Sequence, residues 1–123
     1  MTKTNHLRLG EDGEQIAADY LQKQGYTILA RRFRTKVGEI DIIAKENNCL
    51  VFVEVKTRRS TIYGWPAEAV TWRKQQKIIK TALWFMKDTG NLETKCRFDV
   101  VEIMVGQRMA IQYNHIKHAF GGC

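Results

Sequence analysis

Two carboxylates and a lysine are closely spaced in the middle of the sequence, within the segments GEIDIIA and VFVEVKTR. Successive side chains of a β-strand point to opposite faces, so Glu54 and Lys56 share one face of their strand. A four-residue hairpin loop that sets Lys45 against Leu50 places Asp41 directly opposite Glu54. The spacing therefore predicts two acids and an amine clustered on one face of a β-sheet.

This cluster suits the hydrolysis of a phosphodiester bond. Carboxylates in cross-strand positions lie about 5 Å apart at their Cβ atoms, and their like charges repel unless a cation neutralises them. Mg²⁺ binds one or two carboxylates, keeps several waters and accepts phosphate oxygens as well, and Mn²⁺ is the expected substitute. With the metal at Asp41 and Glu54, Lys56 is expected to orient the attacking water or to offset charge on the phosphate.

The same residues have plainer interpretations. The three charges of this cluster would also fit ordinary salt bridges on a solvated hairpin face. Leu50, Phe52 and Ile43 share that face under the predicted register, so the charges abut apolar surface, which favours a functional site. Glu14 lies near the apolar stripe of the first helix, where a carboxylate needs a partner. It also lies in the first helical turn, where negative charge favours the helix dipole, and the pattern leaves both interpretations open.

The elements that position these residues follow from hydrophobic periodicity and turn residues. The predicted bounds are a helix over 11–24, strands over 26–33, 36–44 and 49–57, a helix over 66–88, and strands over 95–105 and 108–113. The tail over 115–123 has too little pattern to assign. Since no Pro/Gly-rich linker divides the chain, we expect an α/β fold with helices packed on one mixed sheet, in a single domain over residues 1–123.

The tryptophans are divided between two expected environments. Trp72, Ile79, Leu83 and Met86 recur at helical spacing and predict the buried stripe of the second helix. Trp84 is likewise expected to pack within the fold. A third tryptophan, Trp65, adjoins a basic loop predicted over 58–64 and is expected to be exposed there as a stacking platform.

The overall composition favours a polyanionic partner. The chain has 20 Lys and Arg against 13 Asp and Glu, a formal net charge of +7. Such a surplus suits nucleic acid, although basic domains also owe their charge to solubility, and an acidic membrane surface stays open on charge alone. No run of eighteen apolar residues occurs, and residues 1–10 lack the apolar run typical of a signal peptide, so we expect a soluble, unprocessed protein. Three widely separated cysteines without a CxxC pair fit a reduced, cytoplasmic protein, and the three histidines form no spaced metal cluster.

Several sequence motifs resemble those of known protein families. GEIDIIA followed by VFVEVK resembles the D…ExK signature of the restriction-endonuclease-like superfamily, which has an α-β-β-β-α-β core. The chain also resembles, over nearly its whole length, the YraN family of small bacterial proteins through Gly13-Glu14, Ala17, Gly25-Tyr26, both central segments, Lys74 and Arg97-Phe98-Asp99-Val100. The resemblance implies metal ligation by Asp41 and Glu54, catalytic support from Lys56 and a supplementary acidic role for Glu14, including metal binding.

The expected function is therefore a Mg²⁺-dependent DNA endonuclease, similar to archaeal Holliday-junction resolvases and acting on double-stranded or branched DNA in repair or recombination. The residues expected to contact phosphates are Arg58, Arg59, Arg73, Lys74 and Lys77, although a solvated helix face is the alternative for those on the helix. A non-catalytic nucleic-acid-binding module and a protein-interaction subunit that retains the fold are the other hypotheses. A symmetric junction would favour a homodimer.

Overall fold

The computed structural model describes residues 9–59, 70–106, 108 and 110–121. The elements are α1 (Leu9–Lys23), β1 (Thr27–Arg34), β2 (Glu39–Glu46), β3 (Cys49–Arg59), α2 (Trp72–Asp88), β4 (Lys95–Val105) and β5 (Ile111–Phe120). This is the predicted order of helices and strands, and the predicted α/β class is confirmed.

The five strands form one mixed sheet in the order β1-β2-β3-β4-β5. Only β3 and β4 run parallel, and the other neighbouring pairs are antiparallel. One core lies between the sheet and α1, and its members include Ala17, Ala18, Leu21, Ile42, Val51, Val53, Val101 and Ile103. The other lies between the sheet and α2, and its members include Ile40, Ile43, Leu50, Phe52, Ile78, Ala82, Met86 and Phe98. The helices therefore cover opposite faces of the sheet.

The central strand β3 is buried on both faces at its start, which explains its continuous apolar sequence. Leu50 and Phe52 belong to the α2-side core, and Val51 and Val53 to the α1-side core. The turn before β3 has two residues rather than the four predicted, because the last β2 residue already pairs with the first β3 residue. Asn47 provides the positive φ of 56° that this turn requires, a conformation that asparagine tolerates well.

The predicted buried stripe of α2 is wrong in part. The buried residues are Ile78, Thr81, Ala82 and Met86. Trp72, Leu83 and Trp84 are 72%, 52% and 55% exposed. The sheet contact explains the difference: a Cβ on Gly38 would lie 3.1 Å from Thr81 Oγ1, so the strand end approaches α2 too closely for a bulky side chain. Ile78, Thr81, Ala82 and Met86, rather than the tryptophans, face the sheet.

Other boundaries also differ from the prediction. α2 begins at Trp72, after Thr71, whose side chain caps it by accepting a 3.2 Å hydrogen bond from Lys74 N. The predicted start at Pro66, the predicted loop beyond residue 59 and Trp65 lie outside the described residues. β5 extends to Phe120, through most of the tail left unassigned. The sequence did not indicate this strand, because edge strands carry polar residues on both faces and so lack the alternating pattern.

Cysteine pairing departs from the expectation of a fully reduced chain. Cys49 is a free thiol, whereas Cys96 takes part in a disulfide. Across the ranges that the structure describes, neither helix is both long and apolar enough to span a membrane.

Gly13 allows α1 to lie close against β3, and we predict that Gly13→Ala destabilises the protein. A Cβ at this position would lie 2.0 Å from Thr57 Oγ1 and 3.0 Å from Thr57 Cβ. The steric cost of such overpacking, about 1–3 kcal/mol, exceeds the gain of up to about 1 kcal/mol from the higher helix propensity of alanine. Chemical denaturation measures the net loss. Adding Thr57→Ala should restore part of it, and an undiminished free energy of unfolding in Gly13→Ala would contradict the close contact.

Candidate functional site

The predicted hairpin register is confirmed up to the edge of the site. Lys45 lies opposite Leu50, and the last pair joins Ile42 to Val53. β3 continues beyond this pair in parallel contact with β4. The predicted pairing of Asp41 with Glu54 is not among these pairs, because Asp41, the next residue of β2, lies at the point where β2 separates from β3.

Asp41 is fixed at this point by the backbone of β3. Its Oδ2 atom accepts a 2.8 Å hydrogen bond from Val55 N–H. Strict alternation also ends here, because Ile40 and Ile43 both pack in the α2-side core while Ile42 packs in the α1-side core. The carboxylate therefore satisfies a backbone donor where the strands part, a feature that alternation alone does not predict.

Glu54 lies on the α2 side of β3, the face that it was predicted to share with Leu50 and Phe52, and it is only 5% exposed. Its Oε2 atom lies 2.6 Å from Lys74 Nζ, at the first turn of α2. Burial alone would lower the pKa of Lys74, but the hydrogen bond and charge of Glu54 outweigh burial and raise it. Lys74, expected only as a phosphate contact, is thus the counter-charge of a buried carboxylate. Its position beside the buried stripe of α2 is the sequence signal for this role.

The carboxyl group of Asp41 resists ionisation. Burial, followed by the charge of Glu54, raises the pKa of Asp41 to about 7. The Val55 N–H and the Lys74 ammonium act in the opposite direction without offsetting this. Burial and the nearby negative charge of Glu54 therefore both disfavour the ionised form of Asp41.

Glu14 reaches the same region from α1. It is 14% exposed at its side chain, and its Oε1 atom lies 2.7 Å from Arg32 Nε. Arg32 has a positive φ of 52° in β1, and the charge of Glu14 contributes to the raised pKa of Asp41. Glu14 is therefore a paired, largely buried acid near the site rather than a freely solvated first-turn residue.

Lys56 follows Glu54 by two residues on β3. The neighbouring Val55 packs against the α1-side core, and Thr57 contacts α1, so alternation directs Lys56 to the α2 side with Glu54. Lys56 is half-buried. Within the described parts of residues 9–59 and 70–121, no ion pair involves Lys56.

The predicted phosphate-contacting residues fall into two groups. Arg58 and Arg59 belong to the end of β3 rather than to a loop, and Arg59 is exposed. Arg73 and Lys77 are exposed on α2. All of these lie on elements that also contribute to the acidic site, which places positive charge around it.

The donor set of the site fits a hard divalent cation. The hydrogen bond from Val55 uses one oxygen of Asp41, and the ion pair with Lys74 uses one oxygen of Glu54. Each carboxylate therefore has a second oxygen that neither of these two contacts uses. Over the described ranges, no group of three or more Asp, Glu, His or Cys side chains is arranged to hold a metal ion. Two carboxylates match the small protein ligand set of Mg²⁺, which keeps waters and substrate oxygens.

A second buried polar network, missed by the sequence analysis, lies on the α1 side of β4. Asp99 is fully buried and accepts hydrogen bonds from Arg97 Nε at 3.0 Å and His118 N at 3.2 Å. Its Oδ2 atom also lies 2.8 Å from His115 Nε2. Arg97 in turn lies 3.0 Å from Glu46. No spacing rule links these residues, because they come together only when β2, β4 and β5 join one sheet.

The fold and the site define an α/β protein whose buried carboxylate pair and lysines lie where two central strands separate. Residues 13–103 match a family described as "Uncharacterised protein family UPF0102". This match covers most of the chain, from within α1 to within β4, so the chain belongs to the UPF0102 family.

Relatives with about half of their residues identical to this chain carry the same family name. A UPF0102 protein of Desulfosudis oleivorans is 50% identical over 111 residues, which are 90% of this chain and 88% of that protein. One from Clostridium botulinum is 56% identical over 98 residues, covering 79% of this chain and 80% of that protein. Among solved structures, Pyrococcus furiosus SfsA in complex with Ca²⁺ is similar with a TM-score of 0.43 and 14% identity, covering 89% of this chain and 62% of that one.

Proposed function

We propose that this protein is a Mg²⁺-dependent DNA endonuclease, which hydrolyses phosphodiester bonds in double-stranded or branched DNA during repair or recombination. The observation that supports this best is the pair of carboxylates at Asp41 and Glu54. Burial and mutual repulsion raise the pKa of Asp41 to about 7 even with Lys74 nearby. Such a pair is stabilised by a further cation, which a nuclease site of this type requires.

The residues divide the chemistry among them. Asp41 and Glu54 would hold the Mg²⁺ ion, with Glu14 as the supplementary acid. When bound, the ion supplies a water of lowered pKa and polarises a phosphate oxygen. The Val55 N–H and the Lys74 ammonium keep the two carboxylates in fixed positions. Lys56, which lies on the same side of β3 as Glu54, orients the attacking water or offsets the charge that develops on the phosphate.

The surrounding cations serve the substrate. Arg58, Arg59, Arg73, Lys74 and Lys77 are proposed to contact the DNA backbone. Contacts of this kind position a duplex without reading its sequence. Binding should therefore weaken steeply as the salt concentration rises, because each neutralised phosphate releases counterions.

A cleavage assay tests the proposal. The protein is incubated with linear duplex, single-stranded, flapped and four-way DNA in Mg²⁺, in Mn²⁺ and in a chelator. We expect cleavage of at least one duplex or branched substrate with either metal and none with the chelator. Salt-sensitive binding without cleavage of any substrate would refute the endonuclease and identify a nucleic-acid-binding module instead.

A further inference from the structure

The outward face of α2 carries a continuous row of exposed cations and one tryptophan, formed by Arg73, Lys77, Lys80, Trp84 and Lys87. We call this row the α2 stripe. Its members are spaced four and three residues apart in turn, so they lie on one side of the helix. At 1.5 Å per residue the stripe is about 21 Å long. It begins next to Lys74, the partner of Glu54, so it leads away from the acidic site.

Two open grooves flank the stripe, and each contains one exposed tryptophan. The first has a volume of about 380 Å³ and is lined by Val37, Trp72, Arg73, Gln76, Lys77 and Lys80. The second has a volume of about 660 Å³ and is lined by Lys80, Leu83, Trp84, Lys87, Asp88 and Leu92. Lys80 is common to both grooves. An aromatic surface with lysines at its rim therefore occurs twice along one helix.

The exposed tryptophans and the lysines beside them indicate the chemistry of the ligand. An indole exposed beside lysines suits a flat, apolar ring attached to a regularly spaced anion, which is the repeating unit of a nucleic acid strand. Bases within a duplex are stacked on one another, so only unpaired bases reach such a surface. A second copy of this chain is disfavoured, because α2 carries five cations and only one acid, Asp88, and like charges would face each other.

We infer that the α2 stripe, together with Trp72 in the adjoining groove, binds an unpaired segment of the DNA substrate, with bases stacked on Trp84 and Trp72 and phosphates on the lysines between them. The inference rests on the proposed function and narrows its substrate class to DNA with single-stranded arms, such as flapped or gapped molecules. The strand extends along α2 from the acidic site, so the junction between paired and unpaired DNA lies at the carboxylates.

Binding measurements with a chelator present test the stripe without cleavage. Fluorescence anisotropy of labelled oligothymidylate is compared with that of a blunt duplex. Trp84→Ala should weaken single-strand binding on the order of 10-fold, the usual effect of losing one base stack, and leave duplex binding within about two-fold. Trp84→Phe keeps an aromatic ring and should stay close to wild type.

Charge is tested with a matched pair of lysine variants. Lys80→Ala should weaken single-strand binding several-fold, whereas Lys23→Ala, which removes an equal charge from the exposed end of α1, should not. Unchanged single-strand binding in Trp84→Ala, or a dimer in sedimentation that Trp84→Ala dissociates, would overturn the inference. Trp84-dependent binding in a protein that cleaves no DNA would support the stripe and refute only the endonuclease.

Discussion

Asp41→Asn is expected to reduce DNA cleavage by about 10²- to 10³-fold, the loss typical of removing one preorganised charge-stabilising group. Asparagine has almost the same shape, and its carbonyl oxygen can still accept the hydrogen bond from Val55 N–H. What it lacks is the negative charge that holds a divalent cation beside Glu54. Initial rates on the best substrate, at saturating Mg²⁺, measure the effect.

The same substitution is expected to stabilise the fold at neutral and higher pH. Burial and Glu54 raise the pKa of Asp41 to about 7, above its value of about 3.9 in an unfolded chain. The folded state therefore resists ionisation, and the resulting destabilisation begins as the pH rises above about 4 and is complete above about 7. Without metal, Asp41→Asn should thus melt at a higher temperature than wild type at pH 8 and at a similar one near pH 4.

A variant that gains stability while it loses activity distinguishes a functional residue from a structural one. Asp19→Asn is a suitable control, since Asp19 is an exposed acid of α1 bonded only to Gln15 in the described hydrogen bonds, and it should change neither property. A variant that lost activity together with stability would indicate misfolding. Full cleavage by Asp41→Asn would refute the assignment of this residue.

The sequence was sufficient for the hairpin register but not for the whole site, since the predicted pairing of Asp41 with Glu54 is not among the β2–β3 pairs. Alternation along β3 and the turn after β2 predicted that Glu54 and Lys56 share a face and that Lys45 pairs with Leu50, because both follow from backbone periodicity. The hydrogen bond from Val55 to Asp41 could not be predicted, since it exists only because β2 departs from β3 there.

Helix packing was harder to predict for a definite reason. α2 has apolar residues on two adjacent stripes, and periodicity alone does not choose between them. The choice is made by the sheet, because the close approach of Gly38 to Thr81 requires small side chains at the contact. Trp72 and Trp84 were therefore assigned to the core, although they are exposed. Their exposed aromatic rings on α2 were not predicted.

Asp99→Asn is expected to lower the free energy of unfolding by about 3 kcal/mol, the cost of removing one partner from a buried ion pair. Asp99 is fully buried, and its oxygens accept hydrogen bonds from Arg97 and the His118 backbone. An amide can replace some of these bonds but leaves the Arg97 charge incompletely compensated by Glu46. The melting temperature should fall by roughly 10 °C at pH 7, while Asp19→Asn should leave it unchanged.

The pH dependence identifies the charge as the cause. Burial would raise the pKa of Asp99, but the hydrogen bonds from His115 and Arg97 outweigh burial and lower it. The carboxylate therefore contributes its full stability above the unfolded value of about 3.9, and this contribution disappears as the pH falls through the lower folded value. The difference between wild type and Asp99→Asn should be constant from pH 6 to 8 and shrink below about pH 4. A difference that persisted at acid pH would mean that lost packing, not lost charge, destabilises the variant.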